Sequence, residues 1–313
     1  MKQPLEPGLA IVVVNYASHL LLEANLVPIA LELAADVVVV VDNYSAAEER
    51  EAVTALALAQ GWNLITPPTN LGFGGGMNAG VREAERRGAT KFLLLNPDAR
   101  IGPHDVIELA RAVDDSPMTM VCPVITTPAG HVWFDGAFID LDSGETMSAR
   151  RAAGRDGRFV PWLTGACLMI GSSLWNAVGG FDERYFLYWE DVDLSIRAVA
   201  AGGRVDVLRT AKAVHDEGGT QRDAGIAAPR AKSPLYYYYN IRNRQLFASL
   251  QLGVMDQRRW RRTALVAAWE VLLRGGRRQF LAPGPAVLAA LRGLRDGDRF
   301  LRQVPGSDRS ARQ

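Results

Sequence analysis

Three carboxylates within four residues follow a run of aromatic side chains in the second half of the chain. They are Glu190, Asp191 and Asp193, in the stretch Tyr-Phe-Leu-Tyr-Trp-Glu-Asp-Val-Asp that begins at Tyr185. Repulsion between like charges and partial burial raise the pKa of a carboxylate, so that it can take a proton from a sugar hydroxyl near neutral pH. The alternative is an acidic first turn of a helix, where carboxylates are also favourable. The stretch alone leaves both interpretations open.

A second acidic position follows the hydrophobic run Leu93–Leu95, at Asp98 in the sequence Asn-Pro-Asp. A carboxylate here could bind Mg²⁺ or Mn²⁺, which usually take one or two carboxylates together with phosphate oxygens and waters. His215 could complete the ligand set, and an imidazole would suit Mn²⁺ better than Ca²⁺. An ordinary turn residue and a structural histidine are the alternatives.

Five glycines lie within the eleven residues 70–80, and we predict a loop that leads into a helix. Glycine lets backbone N–H groups approach an anion, and a helix N-terminus favours phosphate. A dinucleotide fingerprint would follow the first strand and have an acidic residue at a strand end about twenty residues later, which this segment lacks. A flexible surface loop is the remaining alternative.

Asp42 ends a β-branched run, where its carboxylate could accept hydrogen bonds from a nucleobase or a ribose hydroxyl. It could equally cap the next helix, as could Ser45. Its place beside Asn15 and the glycine segment favours nucleotide binding.

The pattern of residues 9–115 predicts a doubly wound α/β sheet. The predicted strands are 11–14, 37–41, 64–65 and 91–95, and the predicted helices are 46–60, 77–88 and 103–115. Ligands of such sheets bind beyond the carboxyl ends of the strands. We therefore expect the polar residues that close these strands to converge on one crevice.

The rest of the chain predicts a mixed sheet with antiparallel edge strands over 118–171, followed by further helices. The expected elements are helices at 172–178 and 189–201, a strand at 204–208, a loop carrying His215, and helices at 233–251, 256–274 and 284–302. We divide the chain into a catalytic domain over 1–252, with halves 9–115 and 116–252, and a helical extension over 253–313.

The net charge of +1 conceals an asymmetry. Residues 257–313 contain thirteen arginines, no lysine and four acids, or +9, which leaves −8 for residues 1–256. Seven of these arginines bracket an apolar stretch with Trp260, Leu265, Trp269 and Leu272, a pattern typical of a helix lying on anionic lipid. A solvated helix packed on the catalytic domain, or a homodimer contact, is the alternative. The negative remainder argues against nucleic acid as a partner.

Two cysteines, Cys122 and Cys167, lie in apolar surroundings, and we predict buried thiols. The first residues lack the features of a signal peptide, and no run of eighteen apolar residues occurs. We expect a cytoplasmic protein, which a peripheral contact could hold at the inner face of the membrane.

The order of these motifs resembles the family 2 inverting glycosyltransferases, especially their bacterial rhamnosyltransferase-like branch. The resemblance covers about residues 11–247, and it rests on Val-Val-Asn-Tyr16, Val-Asp-Asn-Tyr-Ser45, Asn70–Gly80, Asn-Pro-Asp98, Thr164-Gly-Ala166, Trp-Glu-Asp-Val-Asp193 and His215. It implies a GT-A fold, a Rossmann-like mixed sheet flanked by helices, that binds a nucleoside diphosphate sugar and a divalent metal.

The resemblance also implies roles for individual residues. Asn15 and Asp42 would hold the nucleoside, and Asp98 with His215 would hold the metal. Asp98 matches the last position of the family's Asp-x-Asp motif, and Asn96 stands where many relatives have its first aspartate. Asp191 would be the general base, with Glu190 as its acidic neighbour. Gly72, Gly74 and Gly75 would border the diphosphate, and Asn78 and Asn96 would also contact the nucleotide sugar. The sugar or acceptor pocket would comprise Trp162, Thr164, Gly165, Ala166 and Trp189. Of the aromatic residues Trp162, Phe186, Tyr188 and Trp189, we expect at least two in the core.

The implied reaction is a single displacement that inverts the anomeric carbon. The resemblance favours dTDP-rhamnose as donor and a UDP-sugar as second choice, with a glycan, a lipid-linked molecule or a small molecule as acceptor. A noncatalytic nucleotide-sugar-binding protein and a nicotinamide-dependent oxidoreductase are alternatives from other classes.

Overall fold

The computed structural model describes residues 8–33, 37–216, 232–276 and 284–302. They belong to two compact units. The first comprises residues up to 138, 147–155 and 160–227, and the second comprises 139–146, 156–159 and the residues from 228 onward. The proposed domain boundary at residue 252 stays a prediction. Within these ranges, no helix combines the length and the apolar character that crossing a membrane requires.

The first unit contains a nine-stranded mixed sheet in the order β3-β2-β1-β4-β11-β6-β12-β5, with β7 paired to β6. Its strands are β1 (Leu9–Asn15), β2 (Val37–Asp42), β3 (Asn63–Ile65), β4 (Lys91–Leu95), β5 (Ala99–Ile101), β6 (Thr119–Thr126), β7 (Val132–Phe134), β11 (Cys167–Gly171) and β12 (Arg204–His215). Three short strands, β8 (Ala137–Asp140), β9 (Thr146–Ser148) and β10 (Phe159–Trp162), lie outside this sheet.

The strands β1, β2 and β4 are parallel to one another and almost continuously buried. Continuous Val and Leu runs suit strands whose two faces are both covered. The predicted mixed sheet is confirmed, but one antiparallel strand is central, because β11 lies between β4 and β6 and is antiparallel to both.

The helices of the first unit cover this sheet. They are α1 (His19–Leu21), a π-helical turn (Leu22–Leu26), α2 (Val27–Leu33), α3 (Ala47–Gln60), α4 (Gly72–Arg86), α5 (Pro103–Asp115), α6 (Ala149–Ala152), α7 (Ser172–Val178) and α8 (Glu190–Ala200), with a 3₁₀ turn at Glu183–Tyr185. The helices predicted at 46–60, 103–115, 172–178 and 189–201 are confirmed to within one residue at either end.

The glycine segment is a helix and not the predicted loop, since α4 begins at Gly72. The reason is close packing on the sheet. A Cβ atom on Gly80 would lie 2.3 Å from Cγ1 of Val12, and one on Gly76 would lie 2.8 Å from Cγ2 of Val14. Only glycine lets the helix approach these valines so closely.

The last strand of the large sheet is longer than predicted. β12 continues to His215, so this histidine ends a strand and does not lie in a loop. The extension arises because β12 pairs with β6 beyond an irregularity between Leu208 and Lys212 and then pairs with β5. Pairing between strands distant in sequence is not visible in local residue patterns.

The second unit is mainly helical, with α9 (Pro234–Gln251), α10 (Val254–Arg262), α11 (Ala264–Leu273) and α12 (Pro285–Arg302). Its core includes Tyr237, Ile241, Val271 and Leu272. The single helix predicted over 256–274 is two helices that meet at Thr263, whose hydroxyl accepts a hydrogen bond from the guanidinium of Arg244 at 3.2 Å.

Trp260 is fully buried, which corrects its predicted place on a lipid-facing stretch. Its ring stacks on Phe247 with centroids 5.6 Å apart, and its Nε1–H donates to the carbonyl of Leu141 at 2.9 Å. Arg277 and Arg278, which were part of the same pattern, lie outside the described residues.

Both cysteines are buried free thiols, as predicted. Cys122 lies in β6 and Cys167 in β11, within the core of the large sheet. Burial raises the pKa of each thiol well above its usual range, so both are poor nucleophiles.

Candidate functional site

Polar side chains close two neighbouring parallel strands at the same edge of the sheet. Asn15 and Asp42, the last residues of β1 and β2, face each other in register. The Nδ2 group of Asn15 donates to Asp42 at 3.3 Å and to Glu49 at 3.0 Å. These strand ends therefore meet as expected, and a residue of α3 joins them.

Asp42 is completely buried, and Arg50 donates from Nε to its second oxygen at 2.7 Å. The Arg50 guanidinium also lies 4.6 Å from the centre of the Tyr44 ring. Neither Asp42 nor Ser45 caps α3, whose N-cap is Ala46 without a side-chain hydrogen bond, so the capping alternative is wrong. A nucleoside contact for Asp42 stays a prediction, and the more exposed groups beside it are Arg50 and Tyr44.

Glu49 and Arg50 were missed in the sequence. Oε1 of Glu49 accepts from the backbone N–H groups of Ser18 and His19 at 2.7 and 2.8 Å, and Oε2 lies 2.6 Å from Nδ1 of His19. Both residues look like ordinary charged residues in the first turn and a half of an exposed helix. Only their place in the first turn of the helix that follows β2 could have suggested that they lie near the strand ends.

Asn78 holds α4 against the chain that leads to the acidic helix. Its Oδ1 accepts from the Phe181 N–H at 2.9 Å, while its Nδ2 donates to the Phe181 carbonyl and to Glu183. Gly74 and Gly75 are buried, and each lies beside one of the same two side chains. Contact of these three residues with a diphosphate stays a prediction, and their observed role is packing.

Gly72 joins the glycine helix to the segment before the carboxylates. Its φ is +76°, and an added Cβ would lie 2.3 Å from the carbonyl oxygen of Phe186. The same oxygen accepts a hydrogen bond from the N–H of Phe73 at 2.8 Å. The first turn of α4 therefore fixes the backbone four residues before Glu190.

Replacing Gly72 with alanine should destabilise the protein by about 2–4 kcal/mol, because strain at positive φ adds to overlap with backbone. Gly61 is the matched control, since its φ is +69° but no atom lies within 4 Å of the added Cβ. Its alanine variant should lose only about 1–2 kcal/mol, the cost of the left-handed conformation alone. Urea unfolding of both variants measures the difference, and equal losses would contradict the proposed overlap.

The segment before α8 has an unusual backbone. Phe186, Tyr188 and Trp189 have φ values of 59°, 65° and 76°, a region that costs a non-glycine residue about 1–3 kcal/mol. None of these three side chains, nor that of Trp162, is fully buried, so the expectation that at least two belong to the core is wrong. The fully buried aromatic residue of this segment is Tyr185.

Glu190 and Asp191 are the first two residues of α8, so their carboxylates do lie in the acidic first turn of a helix. Glu190 is buried, and its Oε2 has no hydrogen-bond partner in the described part of the chain. Burial, followed by the negative charge of Asp191, raises the pKa of Glu190 well above its usual range. Two acids in the same turn therefore compete for ionisation.

Asp191 is the carboxylate with the better hydrogen bonds. Its Oδ2 accepts from the N–H of Gly165 at 3.3 Å, and its Oδ1 accepts from the N–H of Val192 at 2.8 Å. Burial raises the pKa of Asp191 to about 6, although these N–H groups act in the opposite direction. A carboxylate with this pKa is ionised near neutral pH and is still an effective base.

Asp193 differs from its neighbours because its charge is compensated. It is fully buried, accepts from the Tyr185 hydroxyl at 3.1 Å, and forms an ion pair with Nε of Arg197 at 2.7 Å. Arg197 also donates to the carbonyl of Val178 at 2.6 Å. Arg197 therefore compensates the charge of Asp193 in this turn.

Asp98 and His215 meet at the ends of β4–β5 and β12. Asp98 Oδ1 lies 3.1 Å from His215 Nε2, both side chains are 7% exposed, and the ring centroid of Trp133 lies 4.5 Å from that of the imidazole. The backbone of Asn96 donates to the carbonyl of Ala166 at 2.9 Å.

The turn at 164–166 connects the two acidic sites. Ala166 accepts from Asn96, two residues before Asp98, and Gly165 donates to Asp191. Thr164 is buried, and its hydroxyl accepts from the N–H of Ala166 at 3.3 Å. The backbone of Asn96 and the carboxylate of Asp191 are therefore both bonded to one short turn.

Few side chains in the described part of the chain lie close enough together to bind a metal ion. Across the described ranges, no three His, Cys, Asp or Glu side chains form a cluster that could hold an ion. Asp98 and His215 still fit one, because the pair offers one carboxylate and one imidazole whose nearest atoms, Oδ1 and Nε2, lie 3.1 Å apart, close enough to bind the same ion. An ion held this way would take its other ligands from phosphate oxygens and water.

Comparison with protein families gives two overlapping matches. The profile described as glycosyl transferase family group 2 matches residues 91–287, which is more than half of the chain. The profile described as glycosyl transferase family 2 matches residues 11–161. Together they include every motif discussed above.

Curated relatives are distant. The chain is 29% identical over 177 residues to the N-acetylglucosaminyl-diphospho-decaprenol L-rhamnosyltransferase of Mycobacterium tuberculosis, which covers 49% of this chain and 58% of that protein. It is 24% identical over 310 residues to the low-salt glycan biosynthesis hexosyltransferase Agl10 of Haloferax volcanii, covering 95% and 94%. The chain thus spans little more than half the length of the rhamnosyltransferase.

A solved structure supports the fold. The mannosyltransferase PcManGT of Pyrobaculum calidifontis, in complex with GDP-Man and Mn²⁺, aligns with a TM-score of 0.51 at 14% identity, covering 95% of this chain and 87% of that one. At this identity the likeness supports the predicted GT-A architecture and carries no residue roles.

Proposed function

Because the chain belongs to glycosyltransferase family 2, we propose that it transfers rhamnose from dTDP-rhamnose to an acceptor hydroxyl and inverts the anomeric carbon. The observation that carries the proposal is the carboxylate of Asp191, which burial makes basic and the Gly165 N–H holds in place. A nucleotide-sugar glycosyltransferase of this kind needs one base and one site for the leaving diphosphate.

Asp191 takes the proton of the acceptor hydroxyl as that oxygen attacks the anomeric carbon. The contribution of such a base is about 10²–10⁴-fold. Burial and the neighbouring charge of Asp191 raise the pKa of Glu190, so the two acids of this turn oppose each other's ionisation. Asp191 is the better proton acceptor of the two, because its carboxylate accepts hydrogen bonds from the N–H groups of Gly165 and Val192, which favour its ionised form.

Asp98 and His215 would hold the divalent metal ion, Mg²⁺ or Mn²⁺, beside the turn that also bears Asp191. Such an ion, when bound, stabilises the negative charge that develops on the diphosphate as the sugar leaves. The relative with a solved structure binds Mn²⁺ and GDP-Man, which supports a metal-dependent reaction on a nucleoside diphosphate sugar.

The nucleoside would bind at the ends of β1 and β2. Asp42 is fully enclosed by Asn15 and Arg50, so it positions Arg50. The base would then lie against the exposed Tyr44 ring and the guanidinium stacked on it. The partly exposed Trp162 and Trp189 would contact the sugar or the acceptor.

The donor and acceptor classes come from the relatives. The mycobacterial protein is named as a rhamnosyltransferase acting on a diphospho-decaprenol, which supports rhamnose as the sugar and a lipid-linked acceptor. A lipid-linked acceptor also agrees with the arginine-rich C-terminal helices and with a place at the inner face of the membrane.

The test is a thermal-shift panel of dTDP-rhamnose, UDP-sugars and GDP-sugars with Mn²⁺, on the native chain and on Asp98→Asn. Saturation at 100 times the Kd stabilises a protein by about 2.7 kcal/mol. We expect dTDP-rhamnose to raise the melting temperature most, and Asp98→Asn to lose the part of the shift that requires Mn²⁺. A larger shift with a UDP-sugar would replace rhamnose as the donor, and NAD protection without nucleotide-sugar protection would remove the glycosyltransferase proposal.

A further inference from the structure

An apolar face of α11 is turned to solvent in the second unit. Leu265, Val266, Trp269 and Leu273 are 72%, 61%, 52% and 39% exposed. At 100° per residue, these four positions lie within an arc of about 100° on the helix. One face of α11 therefore presents large apolar side chains to water.

The opposite face of the same helix is buried. Ala268, Val271 and Leu272 belong to the core that α9 and α12 share with α11. The exposed side chains are thus not part of the hydrophobic core of this unit, because the helix packs on that core through its other side. Isolated exposed apolar residues are common, but a contiguous patch marks an interaction site.

Arginines lie on the helix that directly precedes α11 in the chain. Arg258, Arg261 and Arg262 line a cleft of about 380 Å³. Arg261 is engaged by Asp298 at 2.6 Å, whereas Arg258 and Arg262 are exposed and form no ion pair with a described residue. Residues 257–276 contain five arginines and one acid, Glu270, for a net charge of +4.

We propose that the apolar face of α11, with Arg258 and Arg262, docks on an anionic lipid bilayer. Guanidinium groups bind phosphate in a planar, bidentate manner, as lipid headgroups require. Tryptophan is enriched at the membrane interface, where it places an apolar ring beside polar headgroups. An amphipathic helix with apolar residues on one face and arginines beside them lies in the interface plane.

A bilayer fits better than a second protein because the face combines cations with apolar side chains in one helix pair. Arg259, also in this segment, forms an ion pair with Asp142, so its charge is already compensated within the second unit. Arg258 and Arg262, which form no ion pair within the described ranges, and the four exposed apolar side chains both gain from a surface that is negatively charged outside and apolar beneath.

Docking on a bilayer is a property separate from the proposed sugar transfer, so it can be tested without substrates. The native full chain is sedimented with vesicles of phosphatidylcholine containing about one-third phosphatidylglycerol, and with pure phosphatidylcholine. We expect binding to the anionic vesicles and little to the neutral ones. Each arginine near an anionic surface changes partitioning roughly fivefold, so R258Q/R262Q should bind roughly 25-fold more weakly.

Variants with control substitutions measure the apolar and the charged contributions to vesicle binding separately. Leu265→Glu should also lose anionic-vesicle binding, while Leu58→Glu, on the equally exposed α3 of the first unit (83%), should bind like the native chain. Arg82→Gln, an exposed arginine of α4, is the control for the charge change. Melting temperatures of all variants show whether each remains folded.

Three results would overturn the proposal. One is equal binding to both vesicle types, and another is retention of anionic-vesicle binding by both test variants. The third is a dimer in solution that Leu265→Glu separates and that does not bind vesicles, because the face would then be a subunit interface. None of these results bears on the donor panel, so failure here leaves the proposed reaction intact.

Discussion

Asp191→Asn is expected to lower sugar transfer by about 10²–10⁴-fold while donor binding is retained. Asparagine has nearly the shape of aspartate and can still accept the Gly165 hydrogen bond, so the turn at 164–166 should keep its place. Because the pKa of Asp191 is about 6, kcat/KM of the native enzyme should rise with pH and reach half its maximum near that value. Steady-state rates over a pH series measure both effects.

The same substitution should stabilise the protein. The folded pKa of Asp191 lies above its ordinary value of 3.8, so the folded state holds this proton more tightly than the unfolded state. Stability linked to this group is therefore fully present at low pH, declines as pH rises from about 4 to about 6, and stays reduced above. Near neutral pH, Asp191→Asn should gain about 1–3 kcal/mol, with no gain near pH 4.

Unchanged transfer by Asp191→Asn would exclude Asp191 as the base. Lost transfer together with lost donor binding and lowered stability would mean instead that the substitution disturbs the fold. Only a slow, donor-binding and more stable variant agrees with a buried ionised base.

Arg197→Met is expected to destabilise the protein by about 3–5 kcal/mol, because it breaks the ion pair of the fully buried Asp193. Denaturant unfolding near neutral pH measures the loss. Arg204→Met is the matched control, since Arg204 pairs with Asp206 on the surface, where an ion pair contributes only about 0–1 kcal/mol.

A double substitution distinguishes charge from packing at this site. Asp193→Asn in the Arg197→Met background removes the unpaired charge and should restore part of the lost stability, since the Tyr185 hydroxyl can still donate to the amide oxygen. If the double variant is no more stable than Arg197→Met alone, lost packing of the arginine side chain explains the effect.

Much of the first unit follows from local patterns. The β-branched runs before Asn15 and Asp42 gave β1 and β2 because continuous apolar runs suit strands buried on both faces. Asp98 and Asp191 were recognisable by residue type and by their place at element ends. Their connection through the turn at 164–166 was not, since it depends on β11 pairing with β4.

The errors have a common origin in contacts between distant segments. Glycine has poor helix propensity, so the sequence predicted a loop at residues 72–76. The close approach of β1 and of the Phe186 backbone explains why a helix with small residues forms there instead. β12 reaches His215 through pairing with β6 and β5, which no window of sequence shows. Arg50 reaches Asp42 only once α3 is docked on the sheet.

The glycine-rich helix also bears on how this protein folds. Five glycines in α4 cost about 0.5–1 kcal/mol each relative to alanine, and an isolated helix of fifteen residues is marginal even with good formers. The helix can therefore persist only after Val12 and Val14 are in place beneath it. The glycine helix and the central strands are therefore stable only together, so a change that loosens β1 should also unfold this helix.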